Sequence, residues 1–88
     1  MTCYIVSFEP ASGEGVEAIH ARLQTIIPYC PINKYCWAVM TDKTAPELRD
    51  YLSSAAPSAR LFVIRSGVAA AWRNPYSTTN SDWLKKNL

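Results

Sequence analysis

Three stretches of the chain carry apolar side chains on both phases of a two-residue alternation: Tyr4-Ile5-Val6-Ser7-Phe8, Tyr35-Cys36-Trp37-Ala38-Val39-Met40 and Arg60-Leu61-Phe62-Val63-Ile64. All are rich in aromatic and β-branched residues, which predicts strands. The first runs from Thr2 to Phe8 and is closed by Glu9-Pro10-Ala11-Ser12-Gly13. Between Gly13 and Ile27 the period changes: Val16, Ile19, Leu23, Ile26 and Ile27 recur at helical spacing. Glu14 and Glu17 fall in the first turn, where the helix dipole favours carboxylates. Ser12 is the expected N-cap and Pro28 the stop. Tyr29 to Ile32 reads as a second strand, but Pro28 and Pro31 cannot donate to a ladder, so it belongs at an edge or is irregular. Asn33-Lys34 turns the chain into the strand from Tyr35 to Met40, making a hairpin.

Thr44-Ala45-Pro46-Glu47 has the form of a capping box with proline in the first turn, predicting a helix from about Ala45 to Ser54 that buries Leu48, Tyr51 and Leu52. Ala55 to Ser58 connects it to a strand over Arg60–Ile64, which Ser66-Gly67 ends. Val68 to Trp72 reads either as a short fifth strand or as an irregular extended arm. After a polar loop, Ser81 can cap a last turn over Asp82–Asn87. No internal repeat appears. The order strand, helix, strand, strand, helix, strand predicts an α+β, ferredoxin-like βαββαβ domain over residues 1–88, an antiparallel sheet with two helices on one face and residues 66–88 as a carboxyl-terminal arm. Two helices cover one face, yet all three long strands are apolar on both. Each large side chain left bare forgoes roughly 1.5–3 kcal/mol. A homodimer covering the second face, supplemented by strand exchange from the arm, is the expected solution.

Composition bounds the function classes. Eighty-eight residues hold one core, and 49% hydrophobic with 11% aromatic residues is a folding composition. The formal charge of +2 is too small to argue for nucleic acid by itself. Its distribution says more: residues 1–59 hold four basic and six acidic side chains, residues 60–88 five basic and one acidic. Cys3, Cys30 and Cys36 are odd in number and lack a C-x-x-C pair, which fits a reducing, cytoplasmic setting. The amino-terminal stretch has neither a basic region nor a long apolar run, so no signal peptide and no membrane partner are expected.

Few residues carry chemistry. His20, the single histidine, sits near the apolar stripe of the first helix with no nucleophile beside it in sequence, and reads as a core-edge side chain. A zinc site on Cys30 and Cys36 would need improbable carboxylates, so the thiols read as small buried hydrophobes. Arg60, Arg65, Arg73, Lys85 and Lys86 alternate with Trp72, Tyr76 and Trp83, which suits phosphate contacts and base stacking. The same residues also fit scattered surface charge and a tail anchored on a partner copy by Trp72 and Trp83 at a dimer interface.

The first strand Tyr4–Glu9, the segment Tyr35–Asp42 and the tail Ala71-Trp72-Arg73 with Ser81–Leu88 resemble a group of small bacterial and phage proteins labelled SinR family, related to the CRISPR-associated Cas-two proteins and the VapD toxins. The resemblance implies a ferredoxin-like homodimer that binds DNA or RNA, and possible nuclease activity supported by Mg²⁺ or Mn²⁺. In those relatives an Asp ends the first strand and, with its mate across the dimer axis, is proposed to hold a metal. Glu9 stands there in this chain, one methylene longer. As a catalytic metal ligand it would be doubled by the two-fold axis; otherwise it is a solvated loop carboxylate before Pro10. Two functions follow: a nucleic-acid-associated homodimer, catalytic through Glu9 or binding only through its arginines and lysines, or a non-catalytic dimeric module of phage or mobile-element origin that binds another protein.

Overall fold

The computed structural model describes residues 1–11, 15–67 and 69–88. Along the chain run β1 (Thr2–Glu9), α1 (Glu17–Leu23), β2 (Tyr29–Asn33), β3 (Cys36–Thr41), α2 (Ala45–Ser53), β4 (Arg60–Arg65) and α3 (Thr78–Asn87). The strands form one antiparallel sheet in the order β2-β3-β1-β4. The result is a small α+β protein with helices on both sides of the sheet.

Strand register sorts the side chains. Tyr4 lies opposite Val39 and Val6 opposite Trp37 and Val63. These point to the face that α1 and α2 cover, where Ile19, Leu23, Leu48 and Leu52 are fully buried against Val6 and Phe8. Arg22 ties the two helices together: its guanidinium donates to the Tyr51 carbonyl at 2.9 Å and the Ser54 hydroxyl at 2.8 Å, and it lies 4.8 Å from the centre of the Tyr51 ring. The other face carries Cys3, Ile5, Cys30, Ala38 and Met40.

That second face is where the expectation changes most. It is not bare: Leu84 is buried on it at 2% exposure, and Trp72, Trp83 and Leu88 pack around the same cluster. Helix α3 and the segment leading to it therefore cover in cis what the sequence assigned to a second copy. The cover is partial. It lies over β2, β3 and β1, while Phe62 and Ile64 on the outer face of β4 remain 62% and 50% exposed.

Three elements differ from the sequence reading. Helix α1 ends at Leu23 rather than Ile27, because Thr25 and Ile26 make tight bonds to the carbonyls of Arg22 and Leu23 and the Thr25 hydroxyl captures the Arg22 carbonyl at 2.6 Å. Its expected cap, Ser12, lies outside the described residues; Val16 occupies the N-cap position. Helix α3 begins at Thr78, capped by Ser77, whose hydroxyl accepts from the Asn80 backbone at 3.1 Å; Ser81 is inside it. The longer helix places Asn80, Leu84 and Leu88 on one stripe. The described part of 68–72 is an irregular connection, not a strand, and Val68 itself lies outside the described residues. The capping box at Thr44 and Glu47 is present in both directions, at 3.3 and 2.9 Å. Among the described residues no helix is long and apolar enough to cross a membrane.

Candidate functional site

Glu9 ends β1 directly opposite Arg60, the first residue of β4. The pairing brings the Arg60 guanidinium to 2.8 Å from the Glu9 carboxylate. Both side chains are exposed, so the pair contributes under about 1 kcal/mol to stability. Its chemical effect is larger than its energy. The carboxylate stands at the rim of two open clefts, one lined by Ser7, Phe8, Pro10 and Tyr35, the other by Pro10, Ala11, Ser58 and Arg60. A hard divalent ion entering there would have to displace the guanidinium and complete its shell from solvent, since the described residues contain no group of three or more His, Cys, Asp or Glu side chains. The residues of one chain do not fit a metal at Glu9.

His20 is occupied as well. Its Nε2 donates to the Lys34 carbonyl at 2.8 Å, because a carbonyl can only accept, and its ring stacks on Trp37 at 5.1 Å and meets Phe8 edge-on at 5.6 Å. Tyr29 stacks on Trp37 at 5.2 Å. Phe8, His20, Trp37 and Tyr29 form one aromatic row that pins α1 to the hairpin. The reading of His20 as a core-edge side chain describes this; its partners, twelve or more positions away in sequence, had no local signature.

The cations are distributed as follows. Arg60 and Arg65 stand at opposite ends of β4 and, by strand alternation, on opposite faces. Arg73 is exposed beside Asn74, which adopts a positive φ of 55°. Lys85 and Lys86 are exposed in the last turn of α3, where they complement the helix dipole. Lys85 also lines a cleft of about 230 Å³ with Gly67, Ala69, Ala70, Trp72, Leu84 and Leu88. Among the described residues Arg65, Arg73, Lys85 and Lys86 make no ion pair. The structure thus unites Lys85 with the connection that follows β4, and leaves Arg60 apart.

Trp72 and Trp83, expected at an interface with a second copy, spend much of their surface on the chain's own sheet. Trp72 is half-buried, with its indole N–H donating to the Ser81 hydroxyl at 3.1 Å, and Trp83 packs against the same outer cluster. The anchor that sequence reading missed is Asn80: its side-chain amide donates to the Pro31 carbonyl at 3.0 Å and fastens α3 to the edge of the sheet.

All three cysteines are free thiols. Burial pushes each thiol up from its ordinary value; at Cys3 a hydrogen bond to Ser66 and at Cys30 one to Asn80 partly offset it. A raised folded-state value means that the native protein holds these protons more tightly than the unfolded chain. The associated stability is intact below the unfolded value of 9.0 and is lost as pH rises through the folded values. Urea melts between pH 7 and 10.5 should show a decline above about pH 9 that weakens in Cys3→Ala/Cys30→Ala. No family model, curated protein or solved structure matches the chain.

Proposed function

We propose that the chain is a ferredoxin-like, homodimeric nucleic-acid-binding protein that holds DNA or RNA phosphates without cleaving them. The fold part of this reading is supported by the succession β1-α1-β2-β3-α2-β4 and by the sheet order, which read from its other edge is β4-β1-β3-β2, with α3 added on the opposite face. The observation that carries the function is a contrast in occupancy. The carboxylate that metal chemistry would need is engaged by Arg60, whereas Arg65, Arg73, Lys85 and Lys86 are exposed and, among the described residues, without ion pairs. Cations in that state exchange counterions for phosphates at little cost. A second reading, a dimeric protein-interaction module of phage or mobile-element origin, is favoured by one feature, the exposed Phe62 and Ile64.

A salt titration of binding separates the two. The logarithm of affinity for duplex DNA should fall with the logarithm of salt concentration, by about 0.9 per phosphate neutralised, and the Arg73→Gln/Lys85→Gln/Lys86→Gln variant should show a shallower slope. Mg²⁺ or Mn²⁺ should produce no cleavage, in the wild type or in Glu9→Gln. Absence of any complex with DNA or RNA at low salt overturns the nucleic-acid reading. Cleavage that disappears in Glu9→Gln restores the nuclease expectation.

A further inference from the structure

The two edges of the sheet are unlike. On β2, Pro31 and a shift of register break the ladder, and the Pro31 carbonyl is taken by Asn80. These are the usual ways in which a sheet blunts an edge. On β4 there is none: Arg60–Arg65 contains no proline, runs in unbroken register with β1, and no strand of the described residues pairs on its other side.

Which backbone groups this edge offers follows from one bond. The Ser66 N–H donates to the Cys3 carbonyl at 3.0 Å, so Ser66 and Cys3 form a hydrogen-bonded pair. Alternation along an antiparallel ladder then directs the N–H and C=O of Ile64, Phe62 and Arg60 toward β1, and those of Leu61, Val63 and Arg65 outward. Three outward donors and three outward acceptors lie on one short strand, beside two large apolar side chains that α3 does not reach.

We infer that the outer edge of β4 pairs with the same edge of a second copy, antiparallel and centred on Val63, so that Phe62 of each copy lies opposite Ile64 of the other. This names the interface of the dimer proposed above and rests on that proposal. The register follows from three requirements. A continuous sheet must match outer face with outer face, so the axis passes through a residue. It must use the outward groups of Leu61, Val63 and Arg65, and centring on Val63 pairs all three, Leu61 with Arg65 and Val63 with itself. Centring on Phe62 or Ile64 leaves one of them beyond the strand. The charges also agree: Arg65 falls opposite Leu61 and Arg60 opposite Ser66, so no like charges meet. In this register Phe62 and Ile64 occupy the non-hydrogen-bonded pairs, where facing side chains approach most closely.

One corollary concerns Glu9. It lies level with Arg60, three residues along the strand from the axis and one strand further out. With a rise of about 3.3 Å per residue and strands about 4.8 Å apart, the two Glu9 Cα atoms are about 25 Å from each other. The two carboxylates cannot share an ion in this dimer.

Sedimentation velocity at micromolar concentration tests the interface. The wild type should sediment as a dimer. Val63→Pro removes an N–H that the β1 ladder does not use, and should give a monomer with an unchanged far-ultraviolet circular dichroism spectrum. Phe62→Glu and Ile64→Lys should each give monomers, and the Phe62→Glu/Ile64→Lys double variant should regain the dimer, since each introduced carboxylate then faces an introduced ammonium across the axis. A monomeric wild type overturns both this inference and the proposed dimer. A dimer that persists in Phe62→Glu and in Ile64→Lys overturns the β4 interface alone. Single variants that dissociate and a double variant that does not recover overturn the register. The charge variants carry the test if Val63→Pro fails to fold.

Discussion

Leu84→Ala is expected to destabilise the protein by about 2–5 kcal/mol, the range for emptying a buried leucine site. In a domain of this size that corresponds to a fall of at least about 8 °C in melting temperature. Leu84 is the one side chain of α3 that is fully buried among the described residues, and it seats in the outer cluster with Cys3, Cys30 and Ala38. Small domains hold only about 5–15 kcal/mol in total, so this single contact is a large share. The site can close only if α3 slides toward the sheet, and the Asn80 bond to Pro31 at the helix's other end resists that. A second readout follows from the same geometry. Cys3 and Cys30 are buried beneath α3, and loosening the helix should raise their rate of labelling by a thiol reagent well above that of the wild type. A change below about 0.5 kcal/mol, as for an ordinary surface substitution, would mean that α3 is not docked on the sheet in solution.

Trp37→Ala should cost about 3–5 kcal/mol, and Trp37→Phe markedly less. Trp37 is 5% exposed and lies opposite Val6 at the centre of the sheet. Its indole forms the middle of the row in which His20 and Tyr29 stack on it within 5.2 Å. Alanine there removes partners from α1 and from β2 at once, whereas phenylalanine keeps an aromatic face for both. Thermal melts of Trp37→Ala, Trp37→Phe and His20→Ala give the comparison. Equal losses for the two Trp37 variants would show that hydrogen bonding or shape, not stacking area, fixes the row.

The inner layer was legible in the sequence because its cues are local. The alternation in Tyr4–Phe8, the i, i+3 and i+4 spacing of Leu48, Tyr51 and Leu52, and the Thr44 to Glu47 capping box each act within a few residues. The apolar excess on both strand phases was legible too, and it did demand a cover. What sequence could not decide was whose surface supplies it. A tail carrying Trp72, Trp83 and Leu84 serves equally well folded back or passed to a neighbour, and only the docking of Asn80 on Pro31 and of Leu84 between Cys3 and Ala38 settles it. The start of α3 was placed four residues too late. Ser81 can cap a helix, but Ser77 caps it in the fold, where its hydroxyl accepts from the Asn80 backbone and the longer helix includes Asn80. Glu9 was singled out by resemblance, but its partner was not: the ion pair with Arg60 depends on the β1–β4 register, which joins residues 51 positions apart.

The division of the three tryptophans between the layers gives the molecule two separate optical addresses. Trp37 lies on the side covered by α1 and α2, while Trp72 and Trp83 both belong to the cover made by α3 and the segment leading to it. Emission from Trp37→Phe therefore reports on the outer layer alone, and emission from Trp72→Phe/Trp83→Phe on the inner layer alone. Denaturation followed in the two backgrounds separates concerted melting from peeling of the outer layer first, with no label added.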